Sequence, residues 1–119
     1  MKQNIIRNIL FDLGGVIQNI DVPGALRKFA HYSGKPEEEI NHFHRQQSAF
    51  ILHEKGQCTD EEFRKSVKEA LDLTIDDKDF DIAWNTVLQD IPANRIRWIK
   101  ELKNKGYRLL LLSNTNHIH

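Results

Sequence analysis

The stretch that decides the fold is Ile9-Leu10-Phe11-Asp12-Leu13-Gly14-Gly15-Val16-Ile17. It combines an apolar run, one carboxylate and two adjacent glycines. An apolar run bounded by glycine predicts a buried strand, and buried parallel strands end at the edge where open α/β sheets bind ligands. We therefore expect a first strand over residues 5–12, with Asp12 at its tip and a tight loop behind it.

The two glycines suit a loop that closely approaches a ligand. Glycine adopts backbone dihedrals that other residues avoid, and successive N–H groups in such a loop form an anion-binding concavity. A carboxylate beside these amides suits phosphoryl transfer, because the amides hold the anion while the carboxylate attacks it. Asp12 is therefore a candidate nucleophile. The alternative is an aspartate that caps a helix or a turn.

A second apolar run, Leu109-Leu110-Leu111-Leu112-Ser113-Asn114-Thr115-Asn116, ends in a hydroxyl. It follows a predicted helix that begins at Pro92 and ends at Gly106. A helix, a glycine stop and a strand form half of a parallel crossover. We therefore expect a second strand over residues 107–112 beside the first in a parallel sheet, with Ser113 close to Asp12.

Phe11-Asp12-Leu13-Gly14-Gly15-Val16 resembles the first motif of the haloacid dehalogenase (HAD) superfamily, and the strand ending in Ser113 resembles its second. Most members of this superfamily are phosphatases with a Rossmann-like parallel sheet. The resemblance is greatest to the sugar-phosphatase-like branch and to the amino-terminal domains of some epoxide hydrolases. It implies a small phosphorylated metabolite as substrate and Asp12 as the nucleophile that forms an aspartyl-phosphate.

The resemblance also implies the ligands of the site. Mg²⁺ would bind to the Asp12 carboxylate and to the backbone oxygen of Gly14. The phosphoryl group would be held by Leu13, Gly14, Ser113 and Asn114.

Between the two motifs, the spacing of apolar residues predicts four amphipathic helices that form a small bundle. The first is capped by Asp21, the second begins at Pro36 and closes at Gly56, and the third opens with the capping box of Thr59 and Glu62. The resemblance implies that this bundle is the family's helical cap. We expect an α/β core over residues 1–18 and 92–119, a cap insertion over 19–91, and a mostly helical chain.

Gly14 departs from the family pattern, in which phosphatases carry a second Asp two residues after the nucleophile. That Asp protonates the leaving oxygen, and such general acid–base help is worth about 10²–10⁴-fold. Its loss favours substrates with better leaving groups, such as sugar 1-phosphates. Two alternatives stay open: a non-catalytic relative that binds a phosphorylated ligand or a partner, and a dehalogenase-type hydrolase in which Asp12 attacks carbon.

The family's third and fourth motifs, a Lys and acidic metal ligands, lie downstream of the second motif and do not occur in these 119 residues. We therefore expect an amino-terminal part of a longer protein that is inactive by itself. Two strands make a poor sheet. Its exposed apolar surface and free edges would allow self-association.

The composition excludes several classes of protein. Lys plus Arg and Asp plus Glu number 17 each, so the net charge is zero, which argues against nucleic-acid and membrane-surface binding. No apolar run approaches the roughly 20 residues of a membrane span, and the amino terminus has no signal-peptide pattern. Cys58 is the single cysteine, so no intrachain disulfide can form, and we expect a cytoplasmic protein.

Other candidate ligands are scattered in the sequence. A metal site in the cap is not expected, since His42 and His44 are two residues apart and do not share a helix face. Cys58 lies between a glycine and a capping box, and its thiol has no nearby feature of a reactive cysteine. The residues concerned are His42, His44 and His53 in the cap, Cys58, and the pair His117 and His119, which would bind metal only adventitiously.

Overall fold

The computed structural model describes residues 5–46 and 48–119. These residues form two compact units, an α/β unit of residues 5–20 and 88–114 and a helical unit of residues 21–87 and 115–119. The α/β unit contains β1 (Asn8–Asp12), α6 (Ala93–Asn104) and β2 (Arg108–Leu112). The helical unit contains α1 (Val22–Ser33), α2 (Glu37–Gln46), α3 (Ser48–Glu54), α4 (Asp60–Leu71) and α5 (Asp77–Asn85).

β1 and β2 pair in parallel, with a register that runs from Asn8 opposite Arg108 to Asp12 opposite Leu112. The parallel pairing agrees with the prediction, but β1 begins at Asn8 instead of residue 5. The Arg108 N–H donates to the Arg7 carbonyl over 2.8 Å, and Gly106, with φ of +91°, turns the chain from α6 into β2. The strand pairing therefore starts at the point where this turn leads from α6 into β2.

Apolar side chains of the α/β unit stay exposed. Leu10 is 61% exposed, Leu112 65% and Trp98 52%. Among the residues that the structure describes, every buried side chain belongs to the helical unit. None of the helices in the described ranges has the length and apolar character needed to cross a bilayer.

The sequence predicted four helices in this unit. The predicted second helix corresponds to α2, described to Gln46, and α3, described from Ser48; Gln47 lies outside the described residues. The other three predicted helices correspond to α1, α4 and α5. The buried core is formed by aromatic and aliphatic residues from all five helices, among them Phe29, Ile40, Phe50, Phe63, Val67 and Phe80.

The predicted helix caps are confirmed. The Asp21 carboxylate accepts from the Gly24 N–H over 2.9 Å at the start of α1, and the Thr59 hydroxyl accepts from the Glu62 N–H over 3.1 Å at the start of α4. Gly34 ends α1 in the left-handed conformation, with φ of +70°.

The two compact units differ from the expected boundaries mainly at residues 115–119, which were expected in the core and cluster with the helices. Ile118 packs against the helical core, and the His119 ring lies edge-on to Trp84 with 5.3 Å between centroids. Burial of these two side chains explains the assignment of the segment. Met1–Asn4, placed in the expected core, lie outside the described residues.

His53 is the buried polar side chain of the helical core, with 4% exposure. Its Nε2 lies 2.7 Å from Asp60 Oδ1, and its ring stacks on Phe63 with 4.2 Å between centroids. This hydrogen bond lowers the pKa of the Asp60 carboxyl, and His117 and Arg64 act in the same direction. His53 therefore has a structural partner within the bundle.

The Asp60 pair predicts a pH dependence of stability. Because the folded-state pKa of Asp60 is depressed, its contribution is present above the unfolded value of about 3.9 and is lost as the pH falls through the folded value. Asp60→Asn should lower the free energy of unfolding at pH 7 by about 1 kcal/mol, and the two proteins should converge near pH 2. Urea unfolding at both pH values measures this.

The matched control is Glu61→Gln, which removes a neighbouring charge from the same helix turn without touching His53. An equal loss of stability in both variants would assign the effect to the helix dipole and contradict a specific role for His53.

Candidate active site

Two predicted site residues lie at adjacent strand ends. Asp12 is the last residue of β1 and is paired with Leu112, the last residue of β2. Ser113 follows directly. Since parallel strands end at the same edge of a sheet, the register brings the exposed Asp12 and the half-buried Ser113 to one edge, as the sequence predicted.

The loop after Asp12 is a single tight turn organised around one carbonyl. Leu13 O accepts from the N–H groups of Val16 over 3.3 Å, Ile17 over 3.0 Å and Gln18 over 2.9 Å. The Gly15 N–H donates to Gln18 O over 2.8 Å, and Gly15 has φ of +78°. This left-handed conformation explains the second glycine of the motif.

Gly14 is exposed. It lies between two of these hydrogen bonds, the one from the Gln18 N–H to Leu13 O and the one from the Gly15 N–H to Gln18 O. Those bonds use the atoms of Leu13, Gly15 and Gln18, so the N–H and C=O of Gly14 take no part in the pairing. The Leu13 N–H, in contrast, donates to the Asp12 carboxylate over 2.8 Å. The Leu13 amide is therefore occupied in this arrangement, whereas no hydrogen bond among the described residues uses the amide of Gly14.

Ser113 and Asn114 follow β2 at the same edge. The Ser113 hydroxyl donates to the Asn114 carbonyl over 3.4 Å, a long contact that a stronger acceptor would replace. Asn114 is exposed. The edge thus offers a carboxylate, one exposed peptide group and a hydroxyl.

The donor set suits a hard divalent cation. Mg²⁺ prefers oxygen ligands, and proteins commonly hold it with one or two carboxylates while water and phosphate complete the octahedron. The Asp12 carboxylate and the exposed Gly14 carbonyl are oxygen ligands of this kind. In the described ranges no group of three or more His, Cys, Asp or Glu side chains is arranged to hold a metal ion.

Steric crowding does not explain why this chain has Gly14 where phosphatases of the family carry a second Asp. A Cβ built on Gly14 would meet Ile20 Cγ2 at 3.5 Å, an ordinary van der Waals contact. Gly14 is also absent from the glycines with positive φ. A Cβ is therefore compatible with this position, and neither the backbone conformation nor this contact requires a glycine there.

The remaining candidates of the sequence lie in the helical unit. Burial lowers the pKa of His44 and of His119, which favours their neutral forms. Burial, with Glu62 and Asp60 nearby, raises the pKa of the Cys58 thiol, so little reactive thiolate forms at neutral pH.

The sequence did not single out Arg95, in the first turn of α6. Its guanidinium donates to Asn19 Oδ1 over 2.7 Å and to the Ile17 carbonyl over 3.4 Å. Arg95 thus bonds to the end of the turn that follows Asp12.

The chain matches no family model, but it is similar to solved structures and to a curated protein. A HAD family enzyme from Bacteroides thetaiotaomicron, solved with magnesium and inorganic phosphate, superimposes with a TM-score of 0.81 and 36% identity, over 96% of this chain and 56% of that one. The chain belongs to the haloacid dehalogenase superfamily.

Two further HAD relatives agree with this assignment. D-ribitol-5-phosphate phosphatase of Bacteroides thetaiotaomicron is 30% identical over 113 residues, which are 94% of this chain and 54% of that protein. The structure of a predicted HAD-like hydrolase from Porphyromonas gingivalis has a TM-score of 0.77 and 30% identity, over 97% of this chain and 54% of that one. The chain thus spans about half the length of the relatives that it matches.

Proposed function

We propose that the whole protein is a Mg²⁺-dependent phosphatase of small phosphorylated metabolites, of the sugar phosphate or sugar-alcohol phosphate class. The observation that carries the proposal is the parallel register that brings Asp12 and Ser113 to adjacent strand ends. Relatives named as a phosphatase of ribitol 5-phosphate and solved with magnesium and phosphate support it.

In the proposed reaction an Asp12 carboxylate oxygen attacks phosphorus. The bond between phosphorus and the ester oxygen breaks, the alcohol oxygen leaves with the electron pair and takes up a proton, and an aspartyl-phosphate remains. The Ser113 hydroxyl and the Gly14 N–H donate to the phosphoryl oxygens, and water then hydrolyses the acyl phosphate. Mg²⁺, held by the Asp12 carboxylate and the Gly14 carbonyl, would offset the negative charge of the phosphoryl group.

The source of the proton for the leaving oxygen separates two substrate classes. Gly14 has no acidic side chain that could protonate the leaving oxygen. This favours hydrolysis of a sugar 1-phosphate, because its anomeric leaving oxygen is more acidic and needs less protonation. The relative named for ribitol 5-phosphate acts on the ester of a primary alcohol, which favours terminal phosphates. A water molecule can deliver the proton to such an oxygen at a site without a carboxylate, so the proposal includes both classes.

The experiment is a hydrolysis assay of the whole protein on p-nitrophenyl phosphate, D-ribitol 5-phosphate, and matched sugar 1- and 6-phosphates. We expect release of phosphate that stops on chelation with EDTA and returns with added Mg²⁺. Phosphate release that is insensitive to chelation would contradict the proposed metal, and inertness toward all four classes would contradict the phosphatase.

Three further expectations are part of the proposal. We propose a cytoplasmic location, which the single cysteine supports. We also propose self-association through the sheet, which the exposure of Leu10 and Leu112 supports. The helical unit would act as the cap that selects substrates by shape and excludes water.

A further inference from the structure

A cluster of hydrogen bonds fixes the segment that follows the Asp12 turn. The Asn19 N–H donates to the Asp90 carbonyl over 2.9 Å, and the Asn19 carbonyl accepts from the Gln89 N–H over 2.9 Å. The Asn19 side chain donates to Asp90 Oδ1 over 3.1 Å and accepts from Arg95 over 2.7 Å. Asn19 is therefore held on its backbone and on both atoms of its amide.

Arg95 connects this cluster to the turn itself. The same guanidinium nitrogen that binds to Asn19 also donates to the carbonyl of Ile17, whose N–H closes the turn on Leu13 O. Arginine remains charged at any physiological pH and holds its donors in a rigid plane. One side chain of α6 thus joins the end of the Asp12 turn to the cluster around Asn19.

We infer that Arg95 is a positioning residue for the anion site, and this inference rests on the proposed function. By fixing the carbonyl of Ile17 and the amide of Asn19, it holds the turn in the shape that leaves the N–H and C=O of Gly14 outside the turn's own hydrogen bonds. Without this anchor, the turn exchanges among several shapes, and the N–H of Gly14 is no longer pre-arranged for a phosphoryl oxygen. Preorganised donors are the main source of charge stabilisation in such sites.

The test compares three variants of the whole protein. Arg95→Met removes both hydrogen bonds, and Arg95→Lys keeps a cation that reaches one acceptor. Arg97→Met removes an exposed arginine of the same helix that makes no hydrogen bond or ion pair with the described residues. The readouts are amide hydrogen exchange at Gly15, Ile17 and Gln18, and the affinity for inorganic phosphate in the presence of Mg²⁺.

We expect Arg95→Met to speed exchange at these three amides about tenfold and to weaken phosphate binding by a similar factor, since each tenfold corresponds to one hydrogen bond of ordinary net strength. Arg95→Lys should recover part of both, and Arg97→Met should match the parent. In the steady state kcat should fall more than KM rises, because the lost arrangement matters most in the transition state.

The outcomes separate this inference from the proposed function. Equal exchange in Arg95→Met and Arg97→Met overturns the inference, whether or not the protein binds phosphate. Faster exchange with unchanged phosphate affinity also overturns it, because the turn would then move without consequence for the anion. If the parent protein neither binds nor hydrolyses phosphate, the proposed function fails, and the exchange result still decides what holds the turn. If Arg95→Met does not fold, Arg95→Lys carries the same comparisons.

Discussion

Asp12→Asn in the whole protein should lower kcat/KM for phosphate monoesters by at least about 10³-fold, since the loss of a catalytic nucleophile can cost as much as about 10⁶-fold. Asparagine keeps the size of the side chain but is a far weaker nucleophile and carries no charge for Mg²⁺. Because Asp12 is exposed and its carboxylate accepts, among the described residues, only from the adjacent Leu13 N–H, the fold should survive the change. Steady-state kinetics and a thermal melt together measure this.

The matched control for Asp12→Asn is Asp79→Asn, which removes an exposed aspartate from the first turn of α5. It should leave activity within about twofold of the parent, because Asp79 is not among the predicted site residues and the field of an exposed charge is screened by salt. Retention of more than a tenth of the activity in Asp12→Asn would show that another group attacks phosphorus. Loss of activity in both variants would show a general electrostatic effect.

Gly14→Asp should raise kcat/KM on esters with poor leaving groups, such as D-ribitol 5-phosphate and sugar 6-phosphates, by up to about 10²-fold, the lower range of general acid–base catalysis. The physical reason is the proton that the alcohol oxygen needs as it departs. The ordinary 3.5 Å contact with Ile20 leaves space for the first carbon of the new side chain. On p-nitrophenyl phosphate, whose phenolate leaves without a proton, the gain should be much smaller.

Gly14→Asn is the matched control, since it has the same shape without an acid. If Asp and Asn at this position change the rates equally, the effect is one of shape or loop stiffness, and proton transfer is not involved. If Gly14→Asp raises the rates of all esters equally, the leaving-group argument is wrong. A parent enzyme that already prefers 6-phosphates over 1-phosphates would indicate that water or another side chain supplies the proton.

The sequence was sufficient to locate Asp12 and Ser113, because each ends an apolar run and parallel strands end at one edge. It was also sufficient for the helix caps at Asp21 and Thr59, since capping is a local interaction. These are features in which a few neighbouring residues decide the outcome.

Contacts between distant residues were not accessible in the same way. Arg95 and Asn19 are 76 positions apart, and neither belongs to a motif, so no local pattern indicates their hydrogen bond. His53 was assigned only to a helical region, because its burial depends on Asp60 in the next helix.

The antiparallel bridge between Ile20 and Leu88, continued by the Asp21 N–H that donates to the Val87 carbonyl over 2.8 Å, has an evolutionary consequence. Ile20 and Leu88, on either side of the inserted helices, are paired. The two ends of the insertion therefore lie close together, as the ends of a hairpin loop do. The entropy of closing a loop rises only slowly with its length, and insertions succeed at sites whose ends are close. Such a junction makes residues 21–87 exchangeable for a segment of different length, and residues 115–119, which pack on the helical core, would have to exchange with them.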